Sequence, residues 1–522
     1  MPTFKRPHLK VDQPGSAFAD GNQRWTNKDL DPVPRHARKW GVVSFIAYWV
    51  SDAFNAATWQ FAAGIISVGL GWREAIGIVA LAFFIVSFAI PGARESQLGL
   101  LGAILAIFWF TIQTMNGGNT VRVMLGAIWP SFLTLENHIP ESQGIDTKSM
   151  ISFFLFWLIQ VPFLVMHPNN LRWLFMVKSV VVPIAWIAIL VWAFVATDGG
   201  GHLFEEKSKI QGSAYSWAFL SSLTSVIGNY ATLSVNQADF SSYSRVSVKW
   251  QIVYVPFLPI IFTFISFIGI ASASAGAERY GILEWDPMAL VSHWPSRSCR
   301  FFAAFSFALA ALGVNISANS LSAANDLTAL FPQYVNIRRG QLLCAFLAWA
   351  LVPWKILASA GSFLNFMSAY AVFLGPIAAI MVFDFYVIHR RRYDTLALYQ
   401  PHGIYCYWHG VNWRAVLAFL VGVIPNMPGF INSINPNIDV GVGSRPYTFG
   451  WLLGFVGTSI VYVGLSKAWA PRETLIERSV GPDEIYDVRG VDDGISIGSG
   501  SGEEGLQTAE KGGWKGKLER IL

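Results

Sequence analysis

The chain has 522 residues, of which 53% are hydrophobic and only 13% are charged. Soluble globular proteins carry about 25% charged residues, so this composition excludes an ordinary water-soluble domain. The net charge of +5 comes from basic residues beside apolar runs and gives no reason to expect a nucleic-acid partner. Apolar runs of about 20 residues, the length that crosses a bilayer, recur along the chain and indicate a membrane protein in contact with lipid.

Twelve apolar segments follow one another, and we predict that each crosses the membrane as a helix. The hydrocarbon core contains no water, so each segment has to hydrogen-bond its own backbone groups, as a helix does. The predicted spans are 41–68, 74–90, 98–125, 150–166, 171–196, 213–235, 250–274, 301–325, 341–358, 361–388, 412–430 and 448–469. The predicted fold class is therefore an all-α membrane protein with about 12 transmembrane helices.

Basic and acidic residues alternate between successive loops. The N-terminal segment 1–40 and every second loop after it are basic, ending with three arginines at 390–392, whereas the intervening loops hold acids such as Glu205 and Glu206. By the positive-inside rule, the basic loops are cytoplasmic. Both termini are therefore predicted to be cytoplasmic, and an even number of spans leads to the same prediction.

The segment 472–522 differs in composition from the rest of the chain. It is rich in Gly, Ser, Asp and Glu, as in GISIGSGSGEEG at 495–506. Such a segment cannot bury enough apolar surface to fold, so we predict a disordered cytoplasmic tail. Its lysines, Lys511, Lys515 and Lys517, are candidate sites for the ubiquitylation machinery, and a plain solvated tail is the simpler interpretation.

Asn, Ser, Thr and Gly are concentrated in the first, sixth and eighth spans, where polar residues are costly and indicate function. The segments are SDAFNAATW at 51–59, IGNYATL at 227–233 and GVNISANS at 313–320. The first and sixth spans share N-x-A-T, at 55–58 and 229–232. Inverted-repeat transporters break the corresponding helices of their two halves to hold substrate and ion, so the motif predicts a break in both spans. A chance match is the alternative.

Two further positions point to a solute site. Trp109 and Gln113 lie four residues apart, on one face of the third span, where an indole and a carboxamide suit a planar, hydrogen-bonding ring. Asp52 is the most interior acid of the first span, and either a proton or cation site or a paired structural carboxylate explains it. We find no catalytic motif, no metal-ligand spacing and no nucleotide-binding loop, so we predict neither an enzyme nor a cofactor.

Several longer motifs resemble the nucleobase–cation symporter family, in its fungal branch of uracil, allantoin and uridine permeases. They are NKDLDPVP at 27–34, WFTIQ at 109–113, GNYATLSVNQADF at 228–240, NISANSLSAANDLTALFPQYVNIRRG at 315–340, PWKIL at 353–357 and DFY at 384–386. The resemblance implies a leucine-transporter-type fold. Its two five-helix inverted repeats would be 41–196 and 213–388, with two peripheral helices at 412–469.

The resemblance also implies site residues. The substrate ring would stack on Trp109 and contact Gln113, Asn229, Tyr230 and Asn319. A residue of the tenth span acts as the outer gate in the family, which corresponds to Phe366 or Met367 here. Asp29 and Asp31 of the N-terminal motif face basic loops. We predict that they form a gate through salt bridges that exist in only one of the inward- and outward-facing states. The alternative is that these charges only set the orientation of the chain in the membrane.

For the coupled ion, sodium-dependent family members have two hydroxyl side chains just before the first Asn of the eighth-span motif. Gly313 and Val314 hold those places here and lack side-chain oxygens, so the resemblance favours a proton, with Asp52 as its carrier. Sodium is the less favoured alternative and would rely on main-chain oxygens near Ala53 to Ala56. We therefore expect a proton-coupled symporter of the plasma membrane that imports a nucleobase-like heterocycle.

Two alternatives to this function stay open. A nucleoside or a vitamin such as thiamine would also fit a site of this kind. A non-transporting receptor or an inactive paralogue is the second alternative. Its basis is the segment 91–99, PGARESQLG, which is about twenty residues shorter than its family counterpart. Either a true truncation or a faulty gene model would explain the missing residues.

Overall fold

The structure is a computed structural model, and it describes residues 10–11, 16, 18, 26–89, 100–166, 168–204, 207–235, 241–246, 248–400 and 402–489. Within these ranges the regular secondary structure is helical, as the composition predicts. The shortened segment 91–99 and the lysines at 511, 515 and 517 lie outside the described residues, so the expectations about them stay predictions.

Nineteen α-helices follow one another in the described part of the chain. They are α1 (Val42–Ala53), α2 (Ala56–Ser67), α3 (Trp72–Ala89), α4 (Leu100–Ile128), α5 (Thr147–Val165), α6 (Pro168–Ala196), α7 (Gly212–Val235), α8 (Tyr254–Tyr280), α9 (Pro287–Ser292), α10 (Arg297–Val314), α11 (Ser320–Leu330), α12 (Ile337–Leu347), α13 (Pro353–Ile356), α14 (Ala360–Phe383), α15 (Thr395–Leu398), α16 (Trp413–Val423), α17 (Met427–Ile434), α18 (Gly450–Ala468) and α19 (Pro482–Arg489). Each of the twelve predicted spans falls on one or more of these helices, which confirms the predicted fold class.

The first span is broken in the middle, as predicted. Helix α1 ends at Ala53, and Asn55 is extended, with φ −143° and ψ 159°. Its side chain caps α2 by accepting a hydrogen bond from the Thr58 amide at 3.1 Å, and its Nδ2 donates to the Asp52 carbonyl. An Asn at this position supplies the acceptor that the first turn of a helix lacks. Residues 56–66 of α2 are all buried, so the break lies at the centre of the protein.

The sixth span is not broken at the second N-x-A-T motif, and the prediction of a break there is wrong. Helix α7 continues through Asn229 and Thr232 to Val235. Gly228 lies so close to the Met367 carbonyl that a Cβ there would be 2.3 Å from it, and Tyr370 donates to the Gly228 carbonyl at 2.9 Å. This close packing on α14 holds the motif in helical geometry. The shared motif therefore gives no structural support for two inverted repeats, and the division of the chain into 41–196 and 213–388 stays a prediction.

The eighth span changes its helical pitch at its polar motif. Helix α10 ends at Val314, residues Asn315–Asn319 form a π-helix, and α11 continues from Ser320. Single π-helical turns inside α-helices are frequent at functional sites. The π-helix packs against α4, which carries Trp109 and Gln113.

The N-terminal segment and residues 471–489 pack together on one side of the protein, which we call the terminal face. Arg35 and Arg38 form ion pairs with Asp483 of α19 at 2.9 and 2.7 Å. Partial burial alone would raise the pKa of Asp483, but these two arginines outweigh burial and lower it. Buried Phe18 packs against Tyr486. The prediction of a disordered tail is therefore wrong for 472–489, because apolar and ionic contacts fix that part; residues 490–522 lie outside the described residues.

Candidate substrate-binding site

A small cavity of about 40 Å³ lies beside the break between α1 and α2. Its wall comes from the break itself, from α4, from α7 and from the π-helix with the ends of its two neighbours. The cavity brings together all five side chains expected to contact a substrate: Trp109, Gln113, Asn229, Tyr230 and Asn319. These positions are up to 210 residues apart in sequence, so only the fold makes them neighbours.

Gln113 is held in one orientation by the broken first span. Its Nε2 donates to Asn55 Oδ1 at 3.3 Å, and Asn55 Oδ1 also accepts the Thr58 amide. An amide nitrogen can only donate and an amide oxygen can only accept, so this network assigns the two ends of the Gln113 side chain. Gln113 Oε1 is buried without a partner among the described residues. Gln113 therefore offers an acceptor to the cavity.

Asn319 and Asn229 complete the hydrogen-bonding set of the cavity. Asn319 Nδ2 donates to Asn315 Oδ1 at 2.9 Å, which leaves Asn319 Oδ1 as an acceptor. Asn229, on α7, has a buried amide nitrogen without a partner in the described part of the chain, and no described neighbour fixes which end of this amide faces the cavity. The cavity thus has two amide oxygens oriented as acceptors, on Gln113 and Asn319, and one amide that can present either end.

The two aromatic residues of the set have different surroundings. The Trp109 indole touches neighbouring rings edge-on, with centroids 6.3 Å from both Phe363 and Phe366. The Tyr230 ring packs instead against Phe83 and Phe262 at 5.0 and 4.4 Å. Its hydroxyl donates to the carboxylate of Asp52 at 2.9 Å. Tyr230 therefore holds Asp52, and its ring packs on other aromatic side chains; its predicted contact with the substrate stays a prediction.

Besides the Tyr230 hydroxyl, Asp52 has a charged neighbour that was not predicted from the sequence. Lys178 of α6 is 1% exposed, and its Nζ and the Asp52 Oδ1 both lack hydrogen-bond partners among the described residues. The two groups are close enough for each to influence the charge of the other. Lys178 is the single charged residue of the apolar run 173–196. A lone lysine deep in an apolar run costs free energy and therefore indicates a functional or paired residue. This pattern in the sequence could have identified Lys178.

Lys178 also lies against Gly313, a position at which sodium-dependent family members carry a hydroxyl side chain. A Cβ added to Gly313 would lie 2.6 Å from Lys178 Cδ and 2.8 Å from its Nζ. Val314, the next residue, lines the cavity. Ala53 and Ala56 flank the break in the first span and are buried. The predicted ion-site residues are therefore close together, and an ammonium group fills the space beside Gly313.

The gate residues expected in the tenth span lie in different environments. Phe366 contacts Trp109 and Tyr370, with ring centroids 6.3 and 5.2 Å apart, so it lies beside the cavity. Met367 is fully buried, and its carbonyl is against Gly228 in the contact between α7 and α14. Of the two, Phe366 is the one whose side chain lies beside the Trp109 indole, and the gate role stays a prediction.

A pair of buried amides joins α2 to α4. Gln60 Nε2 donates to Asn116 Oδ1 at 2.9 Å, and Asn116 Nδ2 donates back to Gln60 Oε1 at 3.2 Å. Asp286 accepts a weaker hydrogen bond from Gln60 Nε2 at 3.4 Å. Burial raises the pKa of Asp286 to about 6. Asp286 and Arg122 also line a larger cavity of about 810 Å³.

On the terminal face, the N-terminal motif binds the loop between α11 and α12. Asn27 Nδ2 donates to the Pro332 and Val335 carbonyls at 3.0 and 3.1 Å. Asp29 accepts from the Ile337 amide at 3.1 Å, and Asp31 accepts from the Ser16 hydroxyl. Of the two acids predicted to form a gate, Asp29 therefore holds the N-terminal segment beside the end of the eighth span, and Asp31 bonds within the N-terminal segment itself.

The chain matches a known family along most of its length. The model of the family described as "Permease for cytosine/purines, uracil, thiamine, allantoin" matches residues 32–100 and 92–454. An allantoin permease of Saccharomyces cerevisiae (strain ATCC 204508 / S288c) is 33% identical over 84% of this chain and 75% of its own. A uracil permease of the same organism is 34% identical over 82% of this chain and 74% of its own.

The same fold is found in a solved transporter structure. Mhp1, described as a nucleobase-cation-symport-1 family transporter in a closed conformation with bromovinylhydantoin bound, has a TM-score of 0.68 at 20% identity, over 88% of this chain and 100% of Mhp1. At this identity the likeness shows the fold. Since the family model spans well over half of the sequence and two relatives are at least 33% identical, this chain belongs to the family of permeases for cytosine/purines, uracil, thiamine and allantoin.

Proposed function

We propose that this permease imports a nucleobase or a related small heterocycle with free ring N–H groups, such as uracil or allantoin, together with a proton. The observation that supports the proposal is a pair of amide oxygens that line the cavity and accept no hydrogen bond from the described residues: Gln113 Oε1, which is buried, and Asn319 Oδ1, on a half-buried side chain. Uracil and allantoin both present at least two N–H groups and a carbonyl. Two relatives are named as permeases for these compounds.

The alternative substrates fit this arrangement less well. In a nucleoside the sugar replaces one ring N–H, and the thiazolium nitrogen of thiamine carries no hydrogen. Both compounds carry other donors, the ribose hydroxyls of a nucleoside and the pyrimidine amino group of thiamine, but neither offers two ring N–H groups to Gln113 and Asn319. A site that hydrogen-bonds its substrate rejects analogues that leave its groups unpaired. Asn229 supports the same choice, because its amide can supply a donor for a ring carbonyl.

The cavity has to expand when the ring enters. Its volume of about 40 Å³ holds only a few water molecules, since one water needs at least about 10–15 Å³ measured in this way. Phe366 lies against Trp109 and is the side chain whose movement would open space beside the indole. We therefore assign it the gate role.

Competition with methylated rings tests the proposed substrate class. In permease-deficient cells that express this chain, unlabelled 1-methyluracil, 3-methyluracil, uridine and thiamine should each compete with labelled uracil at least about tenfold less well than uracil, the factor for one unpaired buried group. Labelled allantoin provides a second series, with the empty-vector strain as control. Equal competition by methylated and free rings would show that the two amide oxygens do not select the substrate.

The receptor or inactive-paralogue alternative rests on one specific observation. The family match is divided into two segments that meet at residues 92–100, where the sequence is shorter than expected. Sequencing the transcript across this region and measuring uptake by the encoded protein would decide between the two functions. Absence of uptake for every heterocycle tested, with the protein at the cell surface, would favour the receptor.

We also propose that the protein lies in the plasma membrane with both termini in the cytoplasm, and that Asp29 and Asp31 gate transport from that side. Replacing both by Asn should change the maximal uptake rate about two- to fivefold, because an exposed charged contact contributes about 0.5–1 kcal/mol. The apparent affinity for uracil should stay the same. Asp487→Asn on α19 is the matched control. An unchanged rate, affinity and specificity in the double variant would leave only topology signalling.

A further inference from the structure

We infer that Gln160, a side chain outside the cavity, determines which hydrogen-bonding group the site requires of its substrate, because it fixes the orientation of Asn319 through Asn315. Gln160 lies on α5 and is fully buried. It is one member of a buried polar chain that joins α4, α5 and the π-helix of the eighth span. The inference rests on the function proposed above.

The direction of this chain of hydrogen bonds begins at a main-chain carbonyl. The carbonyl of Phe110 can only accept, and the Thr114 hydroxyl donates to it at 2.7 Å. Since its proton is committed there, the Thr114 oxygen accepts from Gln160 Nε2, at 2.9 Å. The nitrogen of Gln160 therefore faces Thr114, and its Oε1 faces the π-helix.

The orientation then passes from Gln160 to Asn315. Asn315 Nδ2 lies 3.0 Å from Gln160 Oε1 and 3.1 Å from both Thr114 Oγ1 and the Phe110 carbonyl. Three acceptors around one nitrogen leave Asn315 Oδ1 pointing the other way. It accepts Asn319 Nδ2 at 2.9 Å, and Asn319 is left with its oxygen for the cavity. Reversal of any one amide would put two donors or two acceptors against each other in a buried place.

Without Gln160 this selection would be weaker. Asn315 would keep two of its three acceptors but lose the one that only an amide or carboxyl side chain on α5 can supply. Reversal of Asn315 and Asn319 together would then be opposed only by the Phe110 carbonyl and the Thr114 hydroxyl, and a fraction of Asn319 would present Nδ2 to the cavity. A site with Asn319 in both orientations accepts rings with a bare ring nitrogen as well as rings with an N–H. Gln160 is therefore a positioning residue for substrate specificity.

Two substitutions at Gln160 separate this role from simple packing. Gln160→Met has similar length and removes both polar ends, whereas Gln160→Glu keeps an oxygen for Asn315 and loses the amide nitrogen that faces Thr114. The readout is the ratio of inhibition constants of cytosine and uracil against labelled uracil uptake, because cytosine has a bare ring nitrogen where uracil has N3–H. Surface abundance of each variant is measured in parallel.

The wild type should favour uracil by at least about tenfold, and Gln160→Met should lose about tenfold of this preference, the factor for one buried hydrogen bond. Gln160→Glu should keep the preference within about twofold, a difference of about 0.4 kcal/mol. An unchanged ratio in Gln160→Met, or an equal loss in both variants, would overturn the inference. If Gln160→Met fails to reach the membrane, Thr114→Val decides, since it removes the group that orients Gln160 and should lower the ratio too.

The same experiment keeps the inference separate from the proposed function. Wild-type uptake of uracil with an unchanged ratio in Gln160→Met would contradict only the role of Gln160. If the wild type takes up no N–H heterocycle, the proposed function is contradicted. The inference about Gln160, which depends on that function, is then contradicted as well.

Discussion

Uptake by the wild-type protein is expected to increase as the external pH falls, to collapse with a protonophore, and to ignore replacement of sodium by choline. Each unit of pH gradient adds about 1.4 kcal/mol to the driving force, which corresponds to about tenfold in accumulation for one proton per substrate. The structural reason is the ammonium group of Lys178, which fills the space beside Gly313. A sodium ion would have to displace this charge and would find no side-chain oxygen on Gly313 or Val314.

The carrier of the proton should be the buried pair Asp52 and Lys178. Because both Asp52 Oδ1 and Lys178 Nζ lack hydrogen-bond partners among the described residues, the charge on either one depends strongly on the other. Asp52→Asn and Lys178→Met should each abolish the pH dependence and the accumulation against a gradient. Surface abundance should stay normal, and Lys355→Met, at an exposed lysine, serves as the control.

Uptake that follows external sodium and not pH would contradict this coupling scheme. It would mean that main-chain oxygens near Ala53 and Ala56 complete a cation site and that Lys178 moves away from Gly313. Persistence of the pH dependence in Asp52→Asn but not in Lys178→Met would assign the proton to the lysine alone. That outcome would favour the structural interpretation of Asp52, in which the Tyr230 hydroxyl is its permanent partner.

The second large effect is expected at the amides of the cavity. Gln113→Ala and Asn319→Ala should each raise the half-saturation concentration for uracil by about tenfold or more, because a lost hydrogen bond in a buried site costs about 1–3 kcal/mol. Trp109→Ala should have an effect of similar size, since it removes the indole available to stack on the ring. Uptake kinetics at a series of uracil concentrations, corrected for surface abundance, provide the measurement.

Each of these substitutions has a distinguishable structural consequence. Gln113→Ala also removes the donor to Asn55, so it should loosen the break in the first span and lower the maximal rate. Asn319→Ala leaves Asn315 Oδ1 without its donor and should act mainly on affinity. Asn437→Ala, at an exposed asparagine, is the matched control. Wild-type kinetics in both cavity variants would remove these residues from the site.

The sequence by itself determined the all-helical fold class and where the apolar helices lie. Each apolar run has to satisfy its own backbone in hydrocarbon, so the helices follow from local composition. The break at Asn55 was also predictable, because an Asn ahead of a helix caps it through contacts within four residues. The five side chains of the cavity were identified through family motifs, which carry information about tertiary contacts that composition does not.

The tertiary structure alone decided how polar groups pair across helices. The same N-x-A-T motif breaks the first span and leaves α7 intact, because only in α7 does packing of Gly228 against α14 hold it helical. The roles of Lys178 and Gln160 follow only from their contacts with Gly313 and Asn315, which are more than 130 residues away in the sequence. The free energy of a buried polar group depends on its hydrogen-bond partners, and no local sequence pattern predicts which helices pack together.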